Sequence, residues 1–364
     1  MNRDALKRKL LVGVPGPRAP RFDTCAGLGW AGAVDREPAA GDRLGNRWNL
    51  VDRLGSGAFG TVWRARDAKT GAQVAVKTLH PHHAASEKVL GRFVQEAQIQ
   101  TRLSHPALVP VLAWRDAPVP FLVMPLVEGV GLHERLSEHA SAKDPVSLAR
   151  LAWLFEQMTG AVATAHDEGV VHRDLKPRNV LVNPRGRGPD FVRILDFGVA
   201  KVLGGGQLAP TTVGRVMGSV LYLAPEQVMS GGAPPTPAVD QFSLASIFFE
   251  CLTLRRAWAR DDDGVPLSFD VPVGAEGDNK QMTILKRIVR QESPRLRAWR
   301  SDAGAEAERV LARALSKEPA DRFSSVEVFG QALAGALTRA SGDADDPEDT
   351  AWERLPPLDD YGST

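Results

Sequence analysis

Cysteine is scarce: the 364 residues hold two, Cys25 and Cys251. A disulfide-stapled scaffold is thereby excluded, and both thiols read as unpaired side chains of a reduced protein. A long apolar run is also missing. No stretch reaches the ~18 residues that a membrane-spanning helix needs. The nearest, Phe242 to Leu254, is interrupted by Ser243, Ser246, Glu250 and Thr253 and suits a buried core helix. At the start, Arg3, Lys7, Arg8 and Lys9 precede Leu10 to Val14. That apolar piece is shorter than the roughly 7 residues of a signal peptide, and Pro15 and Pro17 end it. Charge of one sign is lacking too: 45 basic against 44 acidic residues give a net +1, so nothing in the total favours nucleic acid or a membrane surface. These absences lead to the expectation of a cytoplasmic protein with neither kind of partner. No internal repeat is visible.

What is present is an ordinary globular composition, on a chain long enough for one two-lobed domain with tails. Residues 1–46, rich in Gly, Pro, Ala and Arg, read as a disordered leader. Strand-like runs follow at Trp48–Leu54, Gly60–Arg66 and Gln73–Thr78. Leu90, Phe93, Val94 and Ala97 mark a helix from Ser86 to Arg102. Two more strands are expected at Leu108–Trp114 and Val119–Met124. Beyond Gly129, helices dominate: Val146–Glu168, closed by Gly169, then Val239–Leu254, Gly304–Leu315 and Ser324–Leu337. Short strands at Val180–Val182 and Val192–Leu195 interrupt them. Residues 339–364 read as an acidic flexible tail. Strands first and helices later give an α+β class: one domain over 47–338, with a small sheet-rich lobe at 47–125 and a larger helical lobe at 126–338.

Five motifs carry chemistry. Gly55-Ser56-Gly57-Ala58-Phe59-Gly60-Thr61-Val62 lies between two strands, whereas a dinucleotide fingerprint needs a helix after it. It is either a backbone flap over polyphosphate or a plain glycine turn. Lys77, in Val74-Ala75-Val76-Lys77, is either a charge protecting a sheet edge or a holder of phosphate oxygens. The second role needs a positioning carboxylate, for which Glu96 on the next helix is the candidate. His172-Arg173-Asp174-Leu175-Lys176-Pro177-Arg178-Asn179 follows a long helix. In it Asp174 can accept a hydroxyl proton, Lys176 can neutralise a phosphoryl group, and Asn179 offers an oxygen to a hard cation. Asp196-Phe197-Gly198 puts a carboxylate at the end of a buried strand, a costly placement unless a metal or partner meets it. Ala224-Pro225-Glu226 follows a Gly-rich segment.

In this order the motifs resemble the signature set of the protein kinases. The chain is similar to Hanks-type, eukaryotic-like serine/threonine kinases, and Leu221-Tyr222-Leu223-Ala224-Pro225-Glu226-Gln227 resembles the bacterial branch. The resemblance spans about Leu50 to Leu337. It implies a bilobal kinase fold, ATP with magnesium (manganese as the alternative), and protein serine or threonine hydroxyls as acceptors. By the same resemblance Leu54, Gly55, Gly57, Gly60, Val62 and Ala75 enclose the nucleotide, Met124 is the gatekeeper, and Pro125 and Val127 form the hinge. Lys77 contacts phosphate and pairs with Glu96. Asp174 is the catalytic base and Lys176 the γ-phosphate partner. Asn179 and Asp196 hold the metal. Thr211 and Thr212 are activation-segment phosphosites with Arg173 as partner, phosphorylated by a second copy of the chain in a homodimer. Glu226 pairs with Arg322, and Asp240 braces the catalytic loop. Departures exist. Pro125 replaces the usual Glu but keeps its carbonyl, Ser219 replaces Thr, and Arg255 to Ser301, a docking surface in the family, lacks the usual apolar-proline sequence. The alternatives are a catalytically weak pseudokinase scaffold, which would lack one of Lys77, Asp174, Asn179 or Asp196, and a small-molecule phosphotransferase, which would lack Ala-Pro-Glu.

Overall fold

The computed structural model describes residues 36–57, 59–183, 191–195, 220–229, 236–259 and 275–342, with backbone alone at Lys88, Arg92, Glu96, Phe191 and 275–280. The chain forms two compact units, Met1–Leu126 and Val127–Thr364.

The first unit is built on strands β1 (Arg43–Leu44), β2 (Trp48–Ser56), β3 (Gly60–Asp67) and β4 (Gln73–Leu79). Two helices, α1 (Pro81–Ala84) and α2 (Glu87–Gln100), separate these from β5 (Ala113–Arg115) and β6 (Phe121–Pro125). The strands pair antiparallel in the order β1-β2-β3-β4-β6-β5. Alternate residues face one side of the pleat, so Trp48, Leu50, Trp63, Ala65, Val74, Val76, Phe121 and Val123 share one core. Trp48 meets Phe121 edge-on, with ring centroids 5.3 Å apart. At the β3–β4 turn Asp67 takes Arg47 in a two-pronged pair and also accepts from the Lys69 amide and the Thr70 hydroxyl. The Arg47 guanidinium, foremost, holds its carboxyl well below the usual range.

In the second unit β7 (Val130–Gly131) leads into α3 (Leu132–Ala142) and the long α4 (Leu148–Asp167), capped by Ser147. Strands β8 (Val180–Asn183) and β9 (Phe191–Ile194) complete a three-stranded sheet in the order β7-β8-β9. Helices α5 (Pro225–Met229), α6 (Pro237–Thr253), α7 (Ala275–Arg290), α8 (Gly304–Ala314) and α9 (Val326–Ser341) follow. Every residue of α6 from Val239 to Leu252 is buried, which explains why its apolar run shows no polar stripe. Phe248 stacks on Phe155 of α4 at 3.9 Å between centroids and on Phe329 of α9 at 5.8 Å. Gly330 lets α9 approach α4, because a Cβ there would collide with Thr159. No helix among the described residues is long and apolar enough to cross a membrane.

Four expectations need correction. The stretch read as a leader holds a strand: β1 pairs with β2, and Leu44 joins the core. The strand expected at Leu108–Trp114 starts only at Ala113, because Pro110 has no amide to give a ladder. Helices α1, α3, α5 and α7 were not expected at all. The last helix runs to Ser341, past the boundary read at 338.

Lys317 follows α8. Its Nζ lies 3.8 Å from the centre of the Trp258 ring, shielded from solvent and without a hydrogen-bond acceptor among the described residues. Burial, and after it the charge of Arg322, lower its pKa to about 8. The unfolded value is about 10.4. Between the two, the unfolded chain binds more protons, so this group makes the fold more stable as pH rises from about 8 to about 10. Cys251 and Tyr222, both raised by burial, act in the opposite sense at alkaline pH. Urea unfolding of Lys317→Met beside the wild type separates them: the wild type should gain on the variant between pH 8 and pH 10. Parallel pH profiles would refute the assignment.

Candidate active site

In the second unit the loop between α4 and β8 is held by a set of polar contacts. Asp240, fully buried at the start of α6, receives three donors: the amides of His172 and Arg173, each at 2.7 Å, and His166 Nε2 at 2.8 Å. A buried carboxylate is sustained by such donors. They hold Arg173 at φ +67°, a left-handed conformation unusual for a residue with a side chain. Gln227 of α5 adds a bond to the Arg173 carbonyl, and its own Oε1 accepts from Ala224 N. Asp174 therefore leaves a turn whose two preceding amides are fixed.

His172, itself buried, links this loop to β9. Its Nε2 faces the Leu195 carbonyl at 3.1 Å and so donates, while Nδ1 accepts from the Asp174 amide at 3.3 Å. Lys176 Nζ reaches Asp174 Oδ2 at 2.7 Å. Asn179 donates Nδ2 to the Asp174 carbonyl at 2.9 Å, which turns its Oδ1, the atom a hard cation takes, the other way. Asp174, Lys176 and Asn179 are thus one rigid constellation of proton acceptor, cation and neutral oxygen.

Arg322 grips Glu226 through two parallel bonds of 2.7 and 2.8 Å and donates to the carbonyls of Ala238, Ser316 and Lys317. Its side chain is fully buried. The first turn of α5 is tied in this way to the α8–α9 connection. Tyr222 gives its hydroxyl to Glu250 at 2.5 Å, and Arg256 approaches the other carboxylate oxygen at 3.6 Å.

In the first unit Lys77 sits on β4, opposite Val62 of β3 and Leu122 of β6. That strand is interior to the sheet, so protection of an edge is not its role. Ala75 faces Met124 across the ladder, and Pro125 lies opposite Val74. Leu54 is exposed near the end of β2. Val127 opens the second unit.

The glycines differ in what they serve. A Cβ at Gly60 would overlap the Thr78 carbonyl, so the sheet itself demands glycine there. Among the described residues a Cβ at Gly55 would meet nothing within 4 Å, and one at Gly57 only the Gly60 carbonyl at 4.0 Å. The protein gives these two no packing reason to lack a side chain, which fits a cradle for a polyphosphate brought close to the backbone. For a metal, Asn179 is a suitable oxygen donor, and no cluster of three His, Cys, Asp or Glu side chains stands ready among the described residues. Asp196, Thr211, Thr212 and Ser219 lie outside the described residues, as does the side chain of Glu96.

Sequence reading assigned no role to His166, His172 or Gln227. His166 and His172 stand six residues apart on either side of the helix end, and Gln227 directly follows Glu226; the order of residues reveals no target for their bonds.

A protein kinase domain family model matches residues 48–333. The serine/threonine-protein kinase pkn3 of Myxococcus xanthus is 33% identical over 301 residues, covering 81% of this chain and 51% of that protein. PknL of Mycobacterium tuberculosis is 30% identical over 302 residues, covering 83% of this chain and 68% of that protein. PrkC of Bacillus subtilis is 30% identical over 288 residues, covering 79% of this chain and 40% of that protein. The chain thus spans about half the length of pkn3 and less of PrkC. The crystal structure of the Mycobacterium tuberculosis PknI kinase domain covers 83% of the chain with a TM-score of 0.59 at 24% identity, a likeness of fold.

Proposed function

The chain belongs to the protein kinase domain family, and on that premise we propose that it transfers the γ-phosphate of ATP to serine or threonine hydroxyls of proteins. The observation that carries the reading is the fixed trio Asp174, Lys176 and Asn179 on a loop anchored to Asp240. Asp174 orients the acceptor hydroxyl and takes its proton while the oxygen bonds to phosphorus and the bond to the departing ADP breaks. Lys176, beside Asp174, neutralises charge on the phosphoryl group in flight. Lys77 aligns the phosphates, steadied by Glu96. Gly55 and Gly57 admit the phosphates close to the backbone, and the apolar faces of Leu54, Val62, Ala75 and Met124 take the base, which the backbone of Pro125 and Val127 recognises.

Asn179 and Asp196 would hold a divalent ion, magnesium or in its place manganese, which when bound supplies charge neutralisation to the phosphates. The protein's own part is positioning and electrostatics. Thr211 and Thr212 are the acceptors in autophosphorylation between two copies, with Arg173 as their partner. The proposal places the reaction in the cytoplasm, where ATP is at hand and Cys251 stays reduced.

Incubation of the purified protein with magnesium and ATP, beside Asp174→Asn, tests this by mass spectrometry. Phosphate should appear on Thr211 or Thr212 in the wild type and fall at least 100-fold in the variant, about the share general-base and positioning effects supply. Equal phosphorylation of the two proteins would overturn the role of Asp174.

A further inference from the structure

The loop that joins β2 to β3 is held from outside the hairpin. Gly57 N donates to Gly60 O at 2.9 Å, closing the turn. His80, at the end of β4, then takes hold of it twice. Its amide donates to the Phe59 carbonyl at 2.9 Å, and its Nε2 lies 2.9 Å from the Gly57 carbonyl. The Phe59 ring stacks on His83 of α1 at 5.0 Å between centroids. On its other side the His80 ring places Nδ1 against the carboxylate of Glu37.

Both ring nitrogens of His80 thus face oxygens that can only accept. A neutral imidazole carries one N–H and satisfies one of them, whereas the imidazolium satisfies both. The other titratable groups at the ring are His82, stacked at 5.6 Å, and His83, which leans on His82 at 4.1 Å. Arg36, next to Glu37, is engaged by Asp42.

We propose that His80 is a positioning residue for nucleotide binding, whose ring clamps the Gly57 carbonyl and so presents the glycine flap to the phosphates. Gly57 gains nothing from side-chain packing, which leaves the loop dependent on such outside contacts for its shape. The proposal rests on the reading of the flap as a phosphate cradle, and it makes Mg-ATP affinity depend on a hydrogen-bond donor at position 80.

The test uses the full chain with two readouts: Mg-ATP affinity by calorimetry and the autophosphorylation rate at saturating ATP. His80→Phe keeps a ring beside His82 and removes both ring nitrogens. Its affinity should fall about fivefold, the worth of one hydrogen bond, with the saturating rate within about twofold of wild type. His80→Gln restores a donor, so it should regain affinity. An unchanged affinity in His80→Phe would overturn the proposal. So would an equal loss in affinity and rate together with a lowered melting temperature, since that marks a merely structural residue. A wild type that binds Mg-ATP but never phosphorylates itself would count against the functional reading alone, and the affinity arm would still decide the role of His80.

Discussion

Asp240→Ala should reduce phosphoryl transfer at least 100-fold and destabilise the protein by roughly 3–5 kcal/mol. The first figure follows from geometry. Asp240 fixes the amides of His172 and Arg173, and Asp174 is the next residue. Displacement of a reacting group by about 1 Å is enough for a loss on the order of 100-fold. The second follows from what is left behind. Two buried amides and the His166 ring lose their acceptor, at about 1–3 kcal/mol for each unsatisfied group, partly recovered by relaxation or entering water. Asp240→Asn is the sharper probe, because it keeps the shape but offers one acceptor oxygen where the carboxylate has two. It should fold, by circular dichroism, and still be strongly impaired in rate. An alanine variant with wild-type rate and unfolding midpoint would show that the loop is held by something other than Asp240.

Arg322→Ala should destabilise the second unit by about 3–5 kcal/mol, the range seen when one member of a buried ion pair is removed. The guanidinium meets Glu226 bidentately and three carbonyls besides, and alanine brings no donor to take its place. Glu226 is partly exposed, so water can reach the carboxylate it leaves; the carbonyls of Ala238, Ser316 and Lys317 account for the rest. Urea denaturation gives the size. Activity gives the direction of coupling, because α5 carries both Glu226 and Gln227, and Gln227 touches the Arg173 carbonyl. Loss of rate at temperatures where the variant is still folded is the expected result. Full activity there would confine the pair to stability.

The sheet of the first unit was legible because alternation is a strong signal when one face is buried: Val74 and Val76 point to the core in step with Trp63 and Ala65. It misled at Leu108–Trp114, where apolar composition resembles a strand but Pro110 interrupts it. Helix α3 escaped notice because two of its buried residues are Arg135 and His139, which a hydrophobic pattern counts as surface. In α7 the apolar residues Ile284, Leu285 and Ile288, all buried, stand among charged and polar neighbours such as Lys286, Arg287 and Arg290, so the run is short. Of the site, residue types at fixed spacing within one loop could be read directly. Bonds between distant segments could not: the His166–Asp240 contact joins residues 74 apart. The clamp on Gly57 was equally hidden, since its meaning depends on Glu37, which lies in the stretch taken for a leader.

His172 makes the loop and β9 a single mechanical part. Its flat ring spans from the Asp174 amide to the Leu195 carbonyl, and a ring has no internal torsion to yield. Asp174 and the end of β9 are therefore set apart by a strut of fixed length. A pull on Leu195 is felt at the Asp174 amide, and the two ends of the strut move together.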